Sequence, residues 1–148
     1  IKLNTHENLG WGKVHLPELE MHTTSFWMSF DGNIAEGFSK EDLESALMGV
    51  SNLLANVAPM YLMCDPRDVS VLYQVRSPYT HKPTIHIYDN QPGGIGFSQK
   101  LYTFSNDLLV NAQKMLNDCD CLDGCPACVG VDGSSKIVTR ALLKKIIK

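Results

Sequence analysis

The sequence predicts an α+β fold, a small and mainly antiparallel sheet packed with about three helices and finished by a four-cysteine knuckle. Three observations predict it. Short runs rich in β-branched and aromatic residues stand apart from longer runs with helical spacing. The runs come in the order strands, helix, strands, helix, knuckle, helix, and four cysteines crowd into residues 119–128. With 148 residues, 44% of them apolar, the chain suits a single domain spanning 1–148 that buries a core without disulfides.

The first elements are strands. Gly12 to Leu16 and His22 to Phe30 have strand composition and are separated by Pro17-Glu18-Leu19-Glu20, which predicts an antiparallel pair. Ser39, with Asp42 three residues on, is an N-cap. Leu43, Leu47, Val50, Leu54 and Val57 then follow at helical spacing until Pro59, where the helix is expected to stop. Val69 to Arg76 alternates, with Val69, Val71, Tyr73 and Val75 on one face. Thr84 to Tyr88 sets Ile85 and Ile87 opposite Thr84, His86 and Tyr88, and the linker Ser77 to Pro83 is turn-rich. A helical pattern runs from Phe97 to Leu116, with a break expected near Ser105-Asn106-Asp107. The last helix covers Ser135 to Lys148, with Ile137, Ala141, Leu142 and Ile146 facing inward.

Several function classes are disfavoured by composition. The net charge of −3 does not suit a surface built throughout to neutralise phosphates, so any nucleic-acid contact is local. The longest apolar stretch, Ala55 to Met63, is interrupted by Asn56 and Pro59 and is too short for a membrane span. The opening Ile1-Lys2-Leu3-Asn4 has the look of a piece of a longer chain. The five histidines show no metal-ligand spacing, and no nucleophile triad or paired-acid motif stands out, so the fragment is not expected to be an enzyme by itself.

Cys119, Cys121, Cys125 and Cys128 form the pattern C-x-C-x3-C-x2-C. Zinc takes four soft ligands in a tetrahedron, and thiolates from one short turning segment supply them without a long loop closure. Gly124 can adopt positive φ where the chain reverses, and Pro126 fixes φ after the third ligand. Asp118, Asp120 and Asp123 are poor neighbours for four thiolates unless a cation offsets them. Disulfides are disfavoured because Cys119 and Cys121 are awkward partners and a lone Cys64 fits a reducing compartment. A redox dithiol is disfavoured because Cys125 to Cys128 runs into Gly130 and Gly133 instead of opening a helix. Four sulfurs close the coordination sphere, so the zinc is expected to be structural, and its binding would take the net charge to about −5. Cys64 itself is expected to be a buried apolar residue.

Two weaker patterns suggest contacts with phosphate. The turn from Asp89 to Gly96, through Gly93 and Gly94, joins a strand to a helix start whose N–H groups can receive an anion. It has no Walker lysine and no full dinucleotide fingerprint, so plain chain reversal is the competing reading. Lys136, Arg140, Lys144 and Lys148 lie four apart and form a basic stripe on a helix, which reads as a solvated face or as a track for a DNA backbone.

With these residues together, the chain resembles the carboxy-terminal zinc-binding domain of MrfA/YprA-type DEAD/DEAH-box helicases. The matching motifs are His22-Thr23-Thr24-Ser25-Phe26-Trp27, the turn Tyr88-Asp89 to Pro92-Gly93-Gly94-Ile95-Gly96, the signature from Cys119 through Gly124-Cys125-Pro126 to Cys128-Val129, and the Leu/Lys-rich helix Thr139 to Ile147. The resemblance is strong over Tyr61 to Lys148 and weaker back to Trp11; Asp120 stands where the family often has proline, which leaves the ligands intact. The resemblance implies a cytoplasmic, ATP-driven 3′ to 5′ DNA helicase linked to repair. Its motor domains would bind ATP in the parent chain and would be this domain's partners along with single-stranded DNA. It also implies that the four cysteines bind Zn2+ and that the domain braces the motor and guides the strand. No G-K-S/T or D-E-x-H motif is present, so the motor lies elsewhere. The alternative is a zinc-stabilised protein-interaction domain without nucleic-acid contact.

Overall fold

The computed structural model describes residues 17, 20–131 and 133–147. Within them, strand β1 (Ser25–Ser29) leads to helix α1 (Lys40–Leu62), strands β2 (Val69–Gln74) and β3 (Thr84–Asp89), and helices α2 (Phe97–Thr103), α3 (Ser105–Asp118) and α4 (Lys136–Ile146). Short 3-10 turns at Gly32–Ala35 and Pro66–Asp68 precede α1 and β2. The α+β class and the antiparallel sheet match the sequence expectation. The helix count rises to four because the 97–118 pattern breaks at Phe104. The expected strand Gly12 to Leu16 lies outside the described residues.

The sheet has the order β1-β3-β2, both neighbours antiparallel to β3. Trp27 faces His86 and Met28 faces Ile85 on one side, while Leu72 faces His86 and Tyr73 faces Ile85 on the other. Ile85 and Ile87 are fully buried, and Val69, Val71, Tyr73 and Val75 lie in or against the core, as alternation requires. Leu72, on the other face, is exposed.

Helix α1 is the centre of the molecule. Ser39 caps it by accepting from the Asp42 N–H at 3.0 Å and donates its hydroxyl to the Asp42 carboxylate at 2.8 Å. Leu47, Val50, Leu53 and Leu54 are fully buried because the helix packs against β2, α3 and α4. Each such side chain contributes roughly 1.5–3 kcal/mol of hydrophobic stabilisation. The helix does not stop at Pro59, as the sequence suggested, but continues to Leu62. Pro59 lies in the last turns, and both it and Leu62 are buried, so core burial offsets the backbone bond that proline removes. Met63, in the left-handed region at φ 56, closes the helix, and Cys64 donates its N–H to the Pro59 carbonyl at 3.3 Å. Cys64 is half-buried instead of buried, and burial with Asp68 and Asp65 nearby pushes its thiol up.

Helices α1 and α4 approach closely at Gly49. A Cβ there would fall 2.1 Å from the Thr139 Oγ1, and Thr139 is fully buried. The inward face of α4 is Lys136, Thr139, Leu142 and Leu143, whereas Ile137 is 77% exposed and Ala141 is exposed too. The expected inward set was therefore wrong at its first two members. Among the described residues no helix is long and apolar enough to cross a membrane.

Candidate metal centre

The site is built where two helices deliver the ends of one loop. Leu108, Ala112 and Leu116 dock α3 on α1, and α3 stops at Asp118, so Cys119 is the first extended residue beyond a fixed helix end. At the other end Cys128 and Val129 are fully buried in the core. The loop between them turns tightly, with the Cys125 carbonyl accepting from the N–H groups of Cys128 and Gly130, both at 3.0 Å. Gly124 has φ +149, and a Cβ there would meet the Gly130 carbonyl oxygen at 2.7 Å, so glycine is required.

Helix α1 grips this loop with two amides one turn apart. Asn52 donates to the carbonyls of Cys128 at 2.7 Å and Pro126 at 3.2 Å. Asn56 donates to the carbonyls of Pro126 at 3.2 Å and Ala127 at 3.4 Å. Neither residue was singled out from sequence, although two amides four apart in a largely apolar helix were the available signal.

The four sulfurs all lie within 4.8 Å of one another. Cys119 is 3.4 Å from Cys121 and 3.6 Å from Cys125, and Cys128 is 3.4 Å from Cys121 and 3.5 Å from Cys125. A disulfide needs about 2.05 Å, so none of these pairs is bonded. A regular tetrahedron with metal–sulfur bonds of about 2.3 Å has edges of about 3.8 Å, which the cluster approaches. The donor set therefore fits one tetrahedral thiophilic ion. Among the described residues no other group of three or more potential ligands converges.

Without a cation the sulfurs share protons unequally. The Cys121 N–H and the neighbouring thiols lower Cys119 to about 7, while contact with Cys119 and burial push Cys121 up to about 12. Cys125 is raised by Cys128 and Cys119. One dication bound to all four relieves this competition by displacing the protons. The Cys128 sulfur also accepts from the Cys125 N–H at 3.3 Å. Asp118, Asp120 and Asp123 are exposed and face solvent.

The residues expected at a nucleic acid fare differently. Lys136 is not on a solvated stripe. It is 6% exposed, and its ammonium reaches the carbonyls of Cys119 at 2.5 Å and Cys121 at 2.7 Å and the Cys121 sulfur at 3.5 Å. Four-residue spacing advances about 40° per step around an α-helix, so a stripe of such residues winds from the buried side to the open one. Arg140 is half-buried, with its Nε atom enclosed and without a partner among the described residues, and Lys144 is exposed. Lys148 lies outside the described residues.

The turn at Gly93, Gly94 and Gly96 does not offer the free cradle that the sequence suggested. The Gly93 N–H donates to the His22 carbonyl at 2.8 Å and the Gly94 N–H to the Gln91 carbonyl at 3.0 Å. Asp89, fully buried, fills the start of α2, accepting from the N–H groups of Ile95 at 2.7 Å and Phe97 at 3.3 Å and from the hydroxyls of Ser98 at 3.1 Å and Thr24 at 3.3 Å. The anion at this helix start is the chain's own carboxylate.

The sequence model of the family described as MrfA Zn-binding domain matches residues 50–129, which include all four cysteines. The chain belongs to this family. As a member of this family the chain is a zinc-binding domain, and its four clustered sulfurs suit zinc as the metal. It is 40% identical over 132 residues to the ATP-dependent helicase YprA of Bacillus subtilis strain 168, covering 89% of this chain and 18% of the helicase. It is 30% identical over 83 residues to protein MJ1572.1 of Methanocaldococcus jannaschii, covering 54% of this chain and 74% of that protein. The crystal structure of DUF1998 helicase MrfA bound to DNA superposes with a TM-score of 0.80 at 36% identity, over 97% of this chain and 19% of that one. The chain spans less than a fifth of the length of the helicases it matches.

Proposed function

We propose that the chain is the zinc-stapled accessory domain of a cytoplasmic, ATP-dependent 3′ to 5′ DNA helicase that serves DNA repair. It forms one domain over residues 1–148, with its knuckle at 119–128 and Cys119, Cys121, Cys125 and Cys128 as the zinc ligands. The observation that carries this reading is the closed set of four sulfurs clamped to α1 by Asn52 and Asn56. Four thiolates complete a tetrahedral sphere, so zinc supplies a cross-link here and has no open position for substrate. The chain's residues accordingly hold shape: α3 presents Cys119, the Cys125–Cys128 turn presents the second pair, and α1 fixes the turn.

The domain braces the parent's motor, which binds ATP, and helps guide single-stranded DNA. The DNA-bound state of the structurally similar MrfA helicase supports the DNA part of this reading. With Lys136 occupied at the knuckle and the glycine turn filled by Asp89, Lys144 and Arg140 are the remaining candidates for phosphate contact on α4.

A second reading, a protein-docking module without nucleic-acid contact, is favoured by one feature. An apolar groove of about 650 Å3 runs between α1 and α3 beside Cys119, lined by Val57, Met60, Tyr61 and Met115. Metal content by mass spectrometry should show about one zinc per chain. Titration of the zinc-loaded protein with single-stranded DNA at increasing salt separates the two readings. Phosphate contact predicts a negative log–log slope that Lys144→Glu makes shallower by about one. A flat or absent response removes the DNA role and leaves the docking module.

A further inference from the structure

We propose that Lys136 is a positioning residue for the metal centre, a buried cation that balances the zinc tetrathiolate and ties zinc retention to the docking of α4. The inference rests on the zinc reading above and adds a role for a residue outside the ligand set.

Lysine is among the residues least often fully buried, and a buried charge requires an opposite one. Lys136 is 6% exposed, yet among the described residues no carboxylate lies within ion-pair distance of it. Its ammonium instead has two carbonyls, of Cys119 and Cys121, and the Cys121 sulfur at 3.5 Å. Two carbonyl dipoles solvate an ammonium but do not neutralise it. Among the described residues the sulfur cluster is the only anion that its contacts reach once zinc is bound.

The need is reciprocal. Four thiolates around one dication leave two surplus negative charges at a partly buried site. The three nearby aspartates are exposed and have the wrong sign to offset them. Lys136 supplies the cation from the first turn of α4. Its three contacts all fall on the Cys119–Cys121 half of the site, whereas Asn52 and Asn56 hold the Cys125–Cys128 half. The two halves of the ligand set are thus fastened to different helices. The α4 that carries Lys136 packs on the α1 that carries the asparagines through the Gly49–Thr139 contact. Outer-sphere partners of this kind orient metal ligands and hold the metal in place.

The test uses the zinc-loaded protein and begins with the wild type. Pulse acetylation read by peptide mass spectrometry should show Lys136 protected and Lys144 reactive, and stripping zinc with a chelator should expose Lys136 to the level of Lys144. Protection that is absent with zinc bound, or unchanged after stripping, overturns the coupling. Lys136→Gln keeps donors for the carbonyls and removes the charge. It should transfer zinc to a chromogenic chelator about 10- to 100-fold faster than wild type, and Lys136→Arg should restore slow release. With cobalt(II) in place of zinc, the sulfur-to-metal charge-transfer bands of Lys136→Gln should shift while those of Lys136→Arg stay near wild type, and amide exchange of α4 in Lys136→Gln should match wild type, which excludes mere loosening of the helix. Release within twofold of wild type, with unshifted bands, overturns the charge role. A wild-type protein that holds no zinc defeats the underlying zinc reading instead, so the two failures are distinguishable.

Discussion

Asn52 and Cys128 are separated by 76 residues, and the asparagine amide donates to the cysteine carbonyl at 2.7 Å. This contact joins the middle of the central helix to the last of the four cysteines. It is a backbone clamp that leaves the sulfur free to face the other three.

Removing the clamp strands a half-buried carbonyl. Asn52→Ala should lower stability by about 1–3 kcal/mol, and Asn56→Ala, whose bonds are longer and more exposed, by less. Urea denaturation of the zinc-loaded protein measures both. Equal losses would mean that the Cys128 bond has no special weight.

The packing of α1 on α4 makes a prediction of opposite character. Alanine is ordinarily better than glycine in a helix by up to about 1 kcal/mol, yet at Gly49 the new methyl would meet Thr139. Gly49→Ala should therefore destabilise by about 1–2 kcal/mol through overpacking. Adding Thr139→Ala should recover part of that loss in a double-mutant cycle. A stabilised single variant would show that the helices can separate at no cost.

Asp89 is the hub of the turn before α2, and its carboxylate receives two backbone N–H groups and two hydroxyls. Asp89→Asn keeps the shape and removes the charge and half the acceptors. It should cost about 2–3 kcal/mol, read as a lower urea midpoint. An unchanged midpoint would mean that the turn holds itself without the carboxylate.

Metal removal should act locally first. The sheet and α1 have their own apolar core, whereas residues 119–131 are joined to it chiefly by Cys128, Val129 and the asparagine bonds. Chelation should raise amide exchange in that segment and in the first turn of α4 while β3 and the middle of α1 remain protected. Lower pH should promote the same loss, because protons compete with zinc for the thiolates. Hydrogen exchange with mass spectrometry distinguishes this from global unfolding, which would expose β3 equally.

Much of the fold was legible because its causes are local. Ser39 and Asp42 mark the start of α1, the alternation about Ile85 and Ile87 marks β3, and the polar Ser105-Asn106-Asp107 marks the break between α2 and α3. The cysteine spacing announced the metal centre for the same reason, since one short turning segment carries all four sulfurs. The C-terminal limit of α1 was misread because Pro59 is a local stop signal that burial of Leu62 overrides.

Residue pattern alone determined the element types, the antiparallel character of the sheet and the four-sulfur cluster. Tertiary structure alone decided that β3 lies between β1 and β2, that Asp89 fills its own helix start, and that Lys136 turns inward to the knuckle while Lys144 stays in water. The reason is physical. Propensity and periodicity act over a few residues, but whether a lysine is a surface charge or a buried counter-charge depends on which distant carbonyls and sulfurs the packing of α4 brings within reach of its ammonium.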